Sequence, residues 1–513
     1  MAKTAEERYQ SAWGLKADLE TCLKEWETKG SIAEFTLGSQ DISEKFHLTQ
    51  KLYGLTQEIQ TLMAAFARVA GFTYAEAGEK IEENHQTRTQ EPVMMLVSGY
   101  SGVGKSALVR EIAKPITAAK GYFISGKFDQ YQRNIPYAAV IKALGELVKQ
   151  LLSEPDKELE VWRQKILKAL GANGQVIAEV IPELELIIGP QPPLPNLPPT
   201  EAENRFNLCF QNFVKLFISP QHPLVIFLDD LQWADSASLK LMQLLMNSEA
   251  AELLIIGAYR DNEVTATHPL MLTVNEIEKT PALVRRISLK PLELDDVNQL
   301  IADTLRQPPQ VTYPLAELVM AKTGGNPFFM NEFLKSLYGE GWLDFDCQQQ
   351  AWVWDLEQIQ GQNITDNVVE LMAEKIQKLP AVTQEVLQLA ACIGNQFDLE
   401  TLAIVGGKSA IETANHLGEA IAAGLVTPRG DAYKSLVLAG EVDGDKSGKS
   451  VMVKFIHDRI QQAAYSLIPP SRQQAIHRQI GELLLHHTNP AQRSEKIFDI
   501  VNQLNQALPL ITE

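Results

Sequence analysis

Cysteine is scarce in this chain. Its 513 residues hold four, Cys22, Cys209, Cys347 and Cys392, far apart and with no CxxC pair. That excludes a disulfide scaffold and a cysteine-built zinc site, and it reads as reduced thiols in a cytosolic protein. Long apolar runs are missing too. None approaches the roughly 18 residues of a membrane span. The opening MAKTAEERYQ is polar and acidic, not a signal peptide. Positive charge is in deficit, with 46 Lys and Arg against 64 Asp and Glu and a net charge of −18. An acidic surface repels phosphates, which argues against a general nucleic-acid or anionic-membrane binder and leaves only a local basic face open. The nine histidines do not cluster with cysteines or acids at metal spacing. Asp443–Gly448 (DGDKSG) mimics the start of a calcium loop, but position twelve is Lys454 instead of Glu, so it reads as a flexible hairpin tip.

What is present is material for cores: 45% hydrophobic and 21% charged residues, in a length that suits about three or four domains. Val93–Gly99 (VMMLVSG) reads as a buried strand, and Gly99, Gly104, Lys105 and Ser106 then complete G-x-x-x-x-G-K-[ST]. Glycines let the backbone wrap so that its N–H groups point at phosphates. Lys105 is placed to reach the β- and γ-phosphates, and the Ser106 hydroxyl to ligate Mg²⁺. Ser106–Lys114 has helical spacing, which aims the positive end of a helix dipole at the same anions.

A P-loop needs a second acid for its metal. Leu224–Leu228 is an apolar strand ending in Asp229-Asp230, about 120 residues downstream. Asp229 is placed to hold Mg²⁺ and Asp230 to orient or deprotonate the attacking water. A third strand within Glu252–Glu263 ends in Arg260, a cation that can sense the γ-phosphate; a plain surface arginine is the equal alternative. Gly121–Tyr137 and Ala282–Leu292 add two more strands. Strands alternating with helical stretches predict an α/β fold, a parallel five-stranded sheet flanked by helices with its site at the C-terminal strand edge.

With the P-loop, FLDDLQWAD, GAYRDNE and TGGNPFF in one order, the chain resembles the signal-transduction ATPases with numerous domains, P-loop relatives of the AAA+ class. LYGLTQEIQTLMAAFARV, ENRFNLCFQNFVKLF and FIHDRIQQAAYSLIP resemble, more narrowly, the ATPase region of large bacterial sensor kinases that join a Ser/Thr kinase domain, this ATPase, a helical region, GAF modules and a histidine kinase. The resemblance covers essentially the whole chain. It implies ATP/ADP and Mg²⁺ as cofactors, partners among the signalling domains or proteins of a sensor-kinase system, and nucleotide-dependent self-association. Gly99, Ser101, Gly102, Val103, Gly104, Lys105, Ser106 and Ala107 carry over as phosphate and metal contacts. Asp229 and Asp230 match the Walker B acids, with Lys105, Asp230 and Arg260 as the catalytic set. Pro327 matches a proline that packs on the base. His457 matches a histidine that reaches the β-phosphate of ADP and locks a closed form. The family usually has an arginine after LYG; here that position is Leu55, which implies weaker nucleotide binding or drift.

The resemblance also sets the expected organisation. Residues 1–30 resemble the last helices of a kinase C-lobe, with Arg8 matching a structural arginine, yet no H-R-D-x-x-x-x-N and no D-F-G occurs, so no kinase activity is expected. The AVIK of Ala139–Lys142 lies in a helical pattern and is a decoy. Residues 31–48 read as a linker, 49–290 as the ATPase core, 291–364 as an all-α lid, 365–470 as a winged-helix-like domain and 471–513 as the start of a TPR-like helical repeat region. The chain resembles an internal piece of the larger protein. Ile187–Thr200, with six prolines, reads as an exposed loop, and Arg205 beyond it as a surface pair or a nucleotide neighbour. The expected function is an ATP-binding, slowly hydrolysing switch. A silent ADP-binding scaffold and a transcriptional regulator are the alternatives, the latter disfavoured by the acidic charge.

Overall fold

The computed structural model describes residues 9, 12–35, 37–38, 41, 45–73, 82–83, 91–129, 136–248, 250–349, 351–361, 367–429, 433, 451–487 and 493–511. Arg8 and the Asp443–Gly448 tip lie outside the described residues. The chain divides into two compact units. One comprises Met1–Thr56, Gly102–Gly104 and Lys290–Asp366; the other comprises Gln57–Ser101, Lys105–Leu289 and Asn367–Glu513.

The larger unit is built on five strands: β1 (Val93–Ser98), β2 (Tyr122–Lys127), β3 (Leu224–Asp229), β4 (Leu253–Tyr259) and β5 (Leu283–Ser288). All neighbours are parallel, in the order β2-β3-β4-β1-β5. Helices cover the faces, so the central strands are buried on both sides and read as unbroken apolar runs. Val93 to Val97 are no more than 1% exposed, and all seven residues of β4 are buried. Ligands in such sheets sit beyond the carboxyl ends of the strands. Those ends carry Ser98, Lys127, Asp229 and Tyr259, the last followed by Arg260.

The helical pattern expected over Ser106–Lys114 is interrupted. A helix runs Lys105–Arg110 and another Ala113–Ala118. Glu111 and Ile112 bond three residues back in between, and Pro115, which lacks an N–H, cannot continue the first ladder. The six-proline stretch begins in a short helix that ends at Ile188 and then has no regular structure until its last proline begins the helix Pro199–Lys215. Phe210 and Phe213 of that helix are fully buried.

The same unit continues with the helices Val368–Gln377, Ala381–Ile393, Leu399–Gly406 and Ala410–Ala422 and an antiparallel sheet of β6 (Gln396–Asp398), β7 (Val426–Pro428) and β8 (Met452–Phe455), in the order β6-β8-β7. The helix Asp458–Ser466 leaves β8 after two residues. Helices Pro470–His487 and Arg493–Gln506 then pair through Ile480, Leu484 and Ile500. No helix among the described residues is long and apolar enough to cross a membrane.

The smaller unit packs helices Leu294–Leu305, Pro309–Thr323 and Pro327–Gly339 around Val297, Leu315, Val319, Met330 and Phe333. The stretch expected to be all-helical also holds a hairpin, Leu343–Asp346 with Ala351–Trp354, whose Leu343 and Trp352 enter the core. Phe46, inside the expected linker, stacks on Tyr338 with ring centroids 5.1 Å apart. Tyr53 donates to Asp303 Oδ2 at 2.8 Å. Leu55, at the position where the resemblance implies arginine, is 7% exposed. The helix Ala12–Lys29 leaves Trp13, Leu19, Leu23 and Trp26 exposed.

Candidate functional site

The loop after β1 turns on glycines. Gly102 and Gly104 have φ of +83° and +107°, which side chains with a Cβ rarely adopt. Gly102 has a second reason to be glycine: a Cβ there would meet Asn326 Oδ1 at 2.7 Å and Phe328 Cβ at 2.9 Å. The Gly102 carbonyl accepts the Phe328 amide at 3.2 Å, and Asn326 caps the helix Pro327–Gly339 by accepting from the Phe329 amide. Pro327 therefore occupies the first turn of that helix, where its missing N–H costs nothing. Val103 is buried, while Ser101 and Ala107 are half-buried.

Lys105 opens the P-loop helix. Its ammonium donates to the carbonyls of Gly99 at 2.7 Å and Tyr100 at 2.9 Å. Burial pulls its pKa down, opposed by the Asp229 and Asp230 carboxylates. Ser106 Oγ donates to Asp229 Oδ2 at 2.9 Å. This hydroxyl and carboxylate, from residues 123 apart, are the two groups here that could hold a P-loop metal. A magnesium ion here would complete its shell with phosphate oxygens and water. Among the described residues no group of three or more His, Cys, Asp or Glu is arranged to hold a metal.

Asp230 follows the strand with φ +56° and ψ +44°, a left-handed turn that aspartate tolerates better than most residues. It is 4% exposed. Lys127 Nζ lies 3.1 Å from its Oδ2, Arg260 Nε 3.4 Å from its Oδ1, and Gln232 Nε2 donates to Oδ1 at 2.8 Å. Burial, then the adjacent Asp229, raises the Asp230 pKa, and Lys127 works against that rise.

Arg260 is the hub. Its guanidinium lies over the Trp233 ring, 4.5 Å from the centroid, and pairs with Glu263 at 3.0 Å and with Asp458 at 2.8 Å. Burial lowers its affinity for a proton, but Asp230, Asp458 and Glu263 outweigh that. Asp458 also takes Lys127 Nζ at 2.6 Å and the Asn395 amide at 2.9 Å. Burial opposes its charge, and Lys127 more than compensates, holding its pKa well below the carboxylate range. A chain of opposite charges thus runs Asp230, Arg260 and Lys127, Asp458, from the sheet edge to the first residue of the helix after β8.

His457 Nδ1 accepts the Arg459 amide at 3.1 Å and caps that helix. This places the ring proton on Nε2. Burial pulls its pKa to about 4, against the pull of Asp458. Arg205 donates to the Pro195 carbonyl at 3.2 Å, on the exposed proline-rich loop. Sequence reasoning passed over Lys127, Gln232 and the carboxylate of Asp458. For Lys127 the sequence offers only a lysine ending a strand; its place beside Asp229 comes from the pairing of the two strands in the sheet.

Residues 83–256 match the family model described as AAA ATPase domain. Among curated proteins, the chain is similar to hybrid signal transduction histidine kinase G of Dictyostelium discoideum, at 30% identity over 630 residues, covering 100% of this chain and 18% of the relative. It is also similar to a peroxide stress-activated histidine kinase of Schizosaccharomyces pombe, at 19% identity over 470 residues, 78% of this chain and 20% of the relative. The chain therefore spans about a fifth of the length of these curated relatives. A solved structure with some likeness is a signal transduction ATPase with numerous domains and a tetratricopeptide repeat sensor from Pyrococcus horikoshii, with 12% identity, a TM-score of 0.39, and coverage of 86% of this chain and 50% of that one. Such an ATPase domain implies nucleotide binding, usually with Mg²⁺. Residues 83–256 are accordingly similar to an AAA ATPase domain, in a chain whose relatives of similar sequence are histidine kinases.

Proposed function

We propose that this chain is an ATP-binding, slowly hydrolysing switch that couples nucleotide state to conformation within a sensor-kinase system. The observation that carries this reading is the Arg260–Asp458 pair: the arginine at the tip of β4 is held by a carboxylate from the C-terminal part of the same unit. Lys105 exchanges its two loop carbonyls for β- and γ-phosphate oxygens, at little cost because both states satisfy the ammonium. Ser106 and Asp229 hold the metal, which when bound neutralises phosphate charge. Asp230 orients the attacking water once its carboxylate is released from Lys127 and Arg260. While both cations occupy its oxygens, the carboxylate is not free to receive a proton from water, and slow turnover follows. Arg260 turns to the γ-phosphate only by leaving Asp458, so ATP and the closed arrangement compete for one guanidinium. The winged-helix-like character of residues 365–470 and the reading of His457 as a nucleotide sensor belong to this proposal.

The test is to purify the chain without added nucleotide, denature it and identify what is released, beside Lys105→Ala. ADP near one equivalent from the wild type and none from the variant supports a closed, nucleotide-holding switch. A folded wild type that releases none and shows no ATP binding on titration would sink the reading.

A further inference from the structure

A cavity of about 260 Å³ lies beyond the tips of β2 and β4, beside the helix Asp458–Ser466. Its walls include Lys127, Trp233, Arg260, Asn395, Asp458 and Arg459. Neither the P-loop residues Gly99–Ser106 nor Asp229 line it, so it is a separate space from the phosphate cradle.

Three carboxylates face this cavity, and each has a donor. Asp458 sits between Lys127 and Arg260. Glu263 takes Arg260 and the Trp233 indole N–H at 3.1 Å. Asp129 accepts the Asn395 backbone amide at 3.2 Å. Arg459 differs: its guanidinium donates to the Gln462 side-chain oxygen at 2.8 Å and forms no ion pair among the described residues. Burial and the neighbouring Arg260 work against its charge, and Glu263 and Asp458, both already paired with Arg260, offset this only in part. A half-buried cation beside a second guanidinium, without a carboxylate of its own, is stabilised by an incoming anion.

We propose that this cavity is an oxyanion site sized for one phosphate-class anion, with Arg459 as the recognising cation and Arg260 as the second donor. Size limits the ligand. Sites for organic ligands occupy about 300–1,000 Å³. This one falls below that range, and with each water taking about 30 Å³ it suits a tetrahedral anion and a few waters. The planar forks of two guanidiniums match its oxygens. Asp129, Glu263 and Asp458 repel it, which keeps affinity on the order of millimolar. An anion drawing on Arg260 competes with Asp458, so filling the site loosens the Arg260–Asp458 pair. Phosphate cleaved from a nucleotide and free phosphate from solution share this chemistry. Only the first source rests on the switch reading; the site itself does not.

Orthophosphate is titrated by calorimetry, at constant ionic strength, into the nucleotide-free full chain as wild type, Lys105→Ala, Arg459→Gln and Arg459→Lys. The expected result is a binding event that survives in Lys105→Ala, whatever the empty P-loop adds in wild type, and that is weaker by roughly tenfold or more in Arg459→Gln. Arg459→Lys, which keeps the charge, falls between them and reports on the site even if Arg459→Gln folds poorly. Binding lost in Lys105→Ala but unchanged in both Arg459 variants would mean a P-loop anion only and would overturn the proposal, as would no binding by the wild type. Single-turnover mixing with ATP then separates the sources. A delay between ADP formation and free phosphate that vanishes in Arg459→Gln assigns the cleaved phosphate. Titratable binding without that delay assigns free phosphate. Absence of turnover removes the first source and counts against the switch reading, while the titration still decides the site.

Discussion

Asp458 Oδ2 lies 2.8 Å from Arg260 Nη2, a bond between residues 198 apart in sequence. Both side chains are largely buried, at 17% and 9% exposure. Replacing Asp458 by Asn keeps the shape but leaves Arg260 and Lys127 each short of a carboxylate. Breaking such a buried pair costs roughly 3 kcal/mol. Asp458→Asn is therefore expected to release bound fluorescent ADP at least tenfold faster than wild type in a chase experiment. In a double-mutant cycle with Arg260→Gln the two effects should fall short of additivity by about 1 kcal/mol or more. Fully additive effects would mean the two side chains act independently.

Ser106 and Asp229 share one hydrogen bond at the place assigned to Mg²⁺. Ser106→Ala is expected to weaken ATP binding by about tenfold in the presence of Mg²⁺ and to change it little in EDTA. Equal weakening in both conditions would take the serine away from the metal.

Gly102 combines a positive φ with contact to Asn326 and Phe328. Gly102→Ala is predicted to destabilise the chain by about 2 kcal/mol, through backbone strain and displacement of the Asn326 cap. Differential scanning calorimetry would show the shift as a lower melting temperature. An unchanged melt would mean that the loop relaxes freely.

The pH response of His457 has a definite sign. Its folded pKa, near 4, lies below the ordinary histidine value of 6.5. Between these values the unfolded chain binds the extra proton and the folded chain does not, so this contribution to stability is present above pH 6.5 and is lost as pH falls toward 4. The melting temperature of His457→Gln is expected to fall less steeply than that of wild type across this window. Parallel pH profiles would remove His457 as the source.

The sheet was legible because its inner strands β1, β3 and β4 are short apolar runs ended by a charge or glycine, a pattern that survives in one dimension. Lys105, Ser106 and the Asp229-Asp230 pair were legible for the same reason, since motif spacing encodes them locally. The charge chain was not. Lys127 looks like any lysine that ends a strand, and in the sequence Asp458 is simply the residue after His457. Their meaning comes from a pairing that spans 331 residues, which no local window contains. The hairpin Leu343–Trp354 was hidden by its shortness, and Phe46 by the polar residues around it, although its ring packs on Tyr338 and Trp352.

The hydrogen-bonded bridge from Lys127 and Arg260 to Asp458 also constrains how such a chain drifts over generations. Losing either side leaves the largely buried charges of this cluster out of balance, so one substitution is penalised where a matched pair is tolerated. The tips of β2 and β4 and the first turn after β8 are therefore expected to change together, although hundreds of residues of coding sequence separate them. A recombination event that joins one lineage's parallel sheet to another's C-terminal part must bring these charges together again.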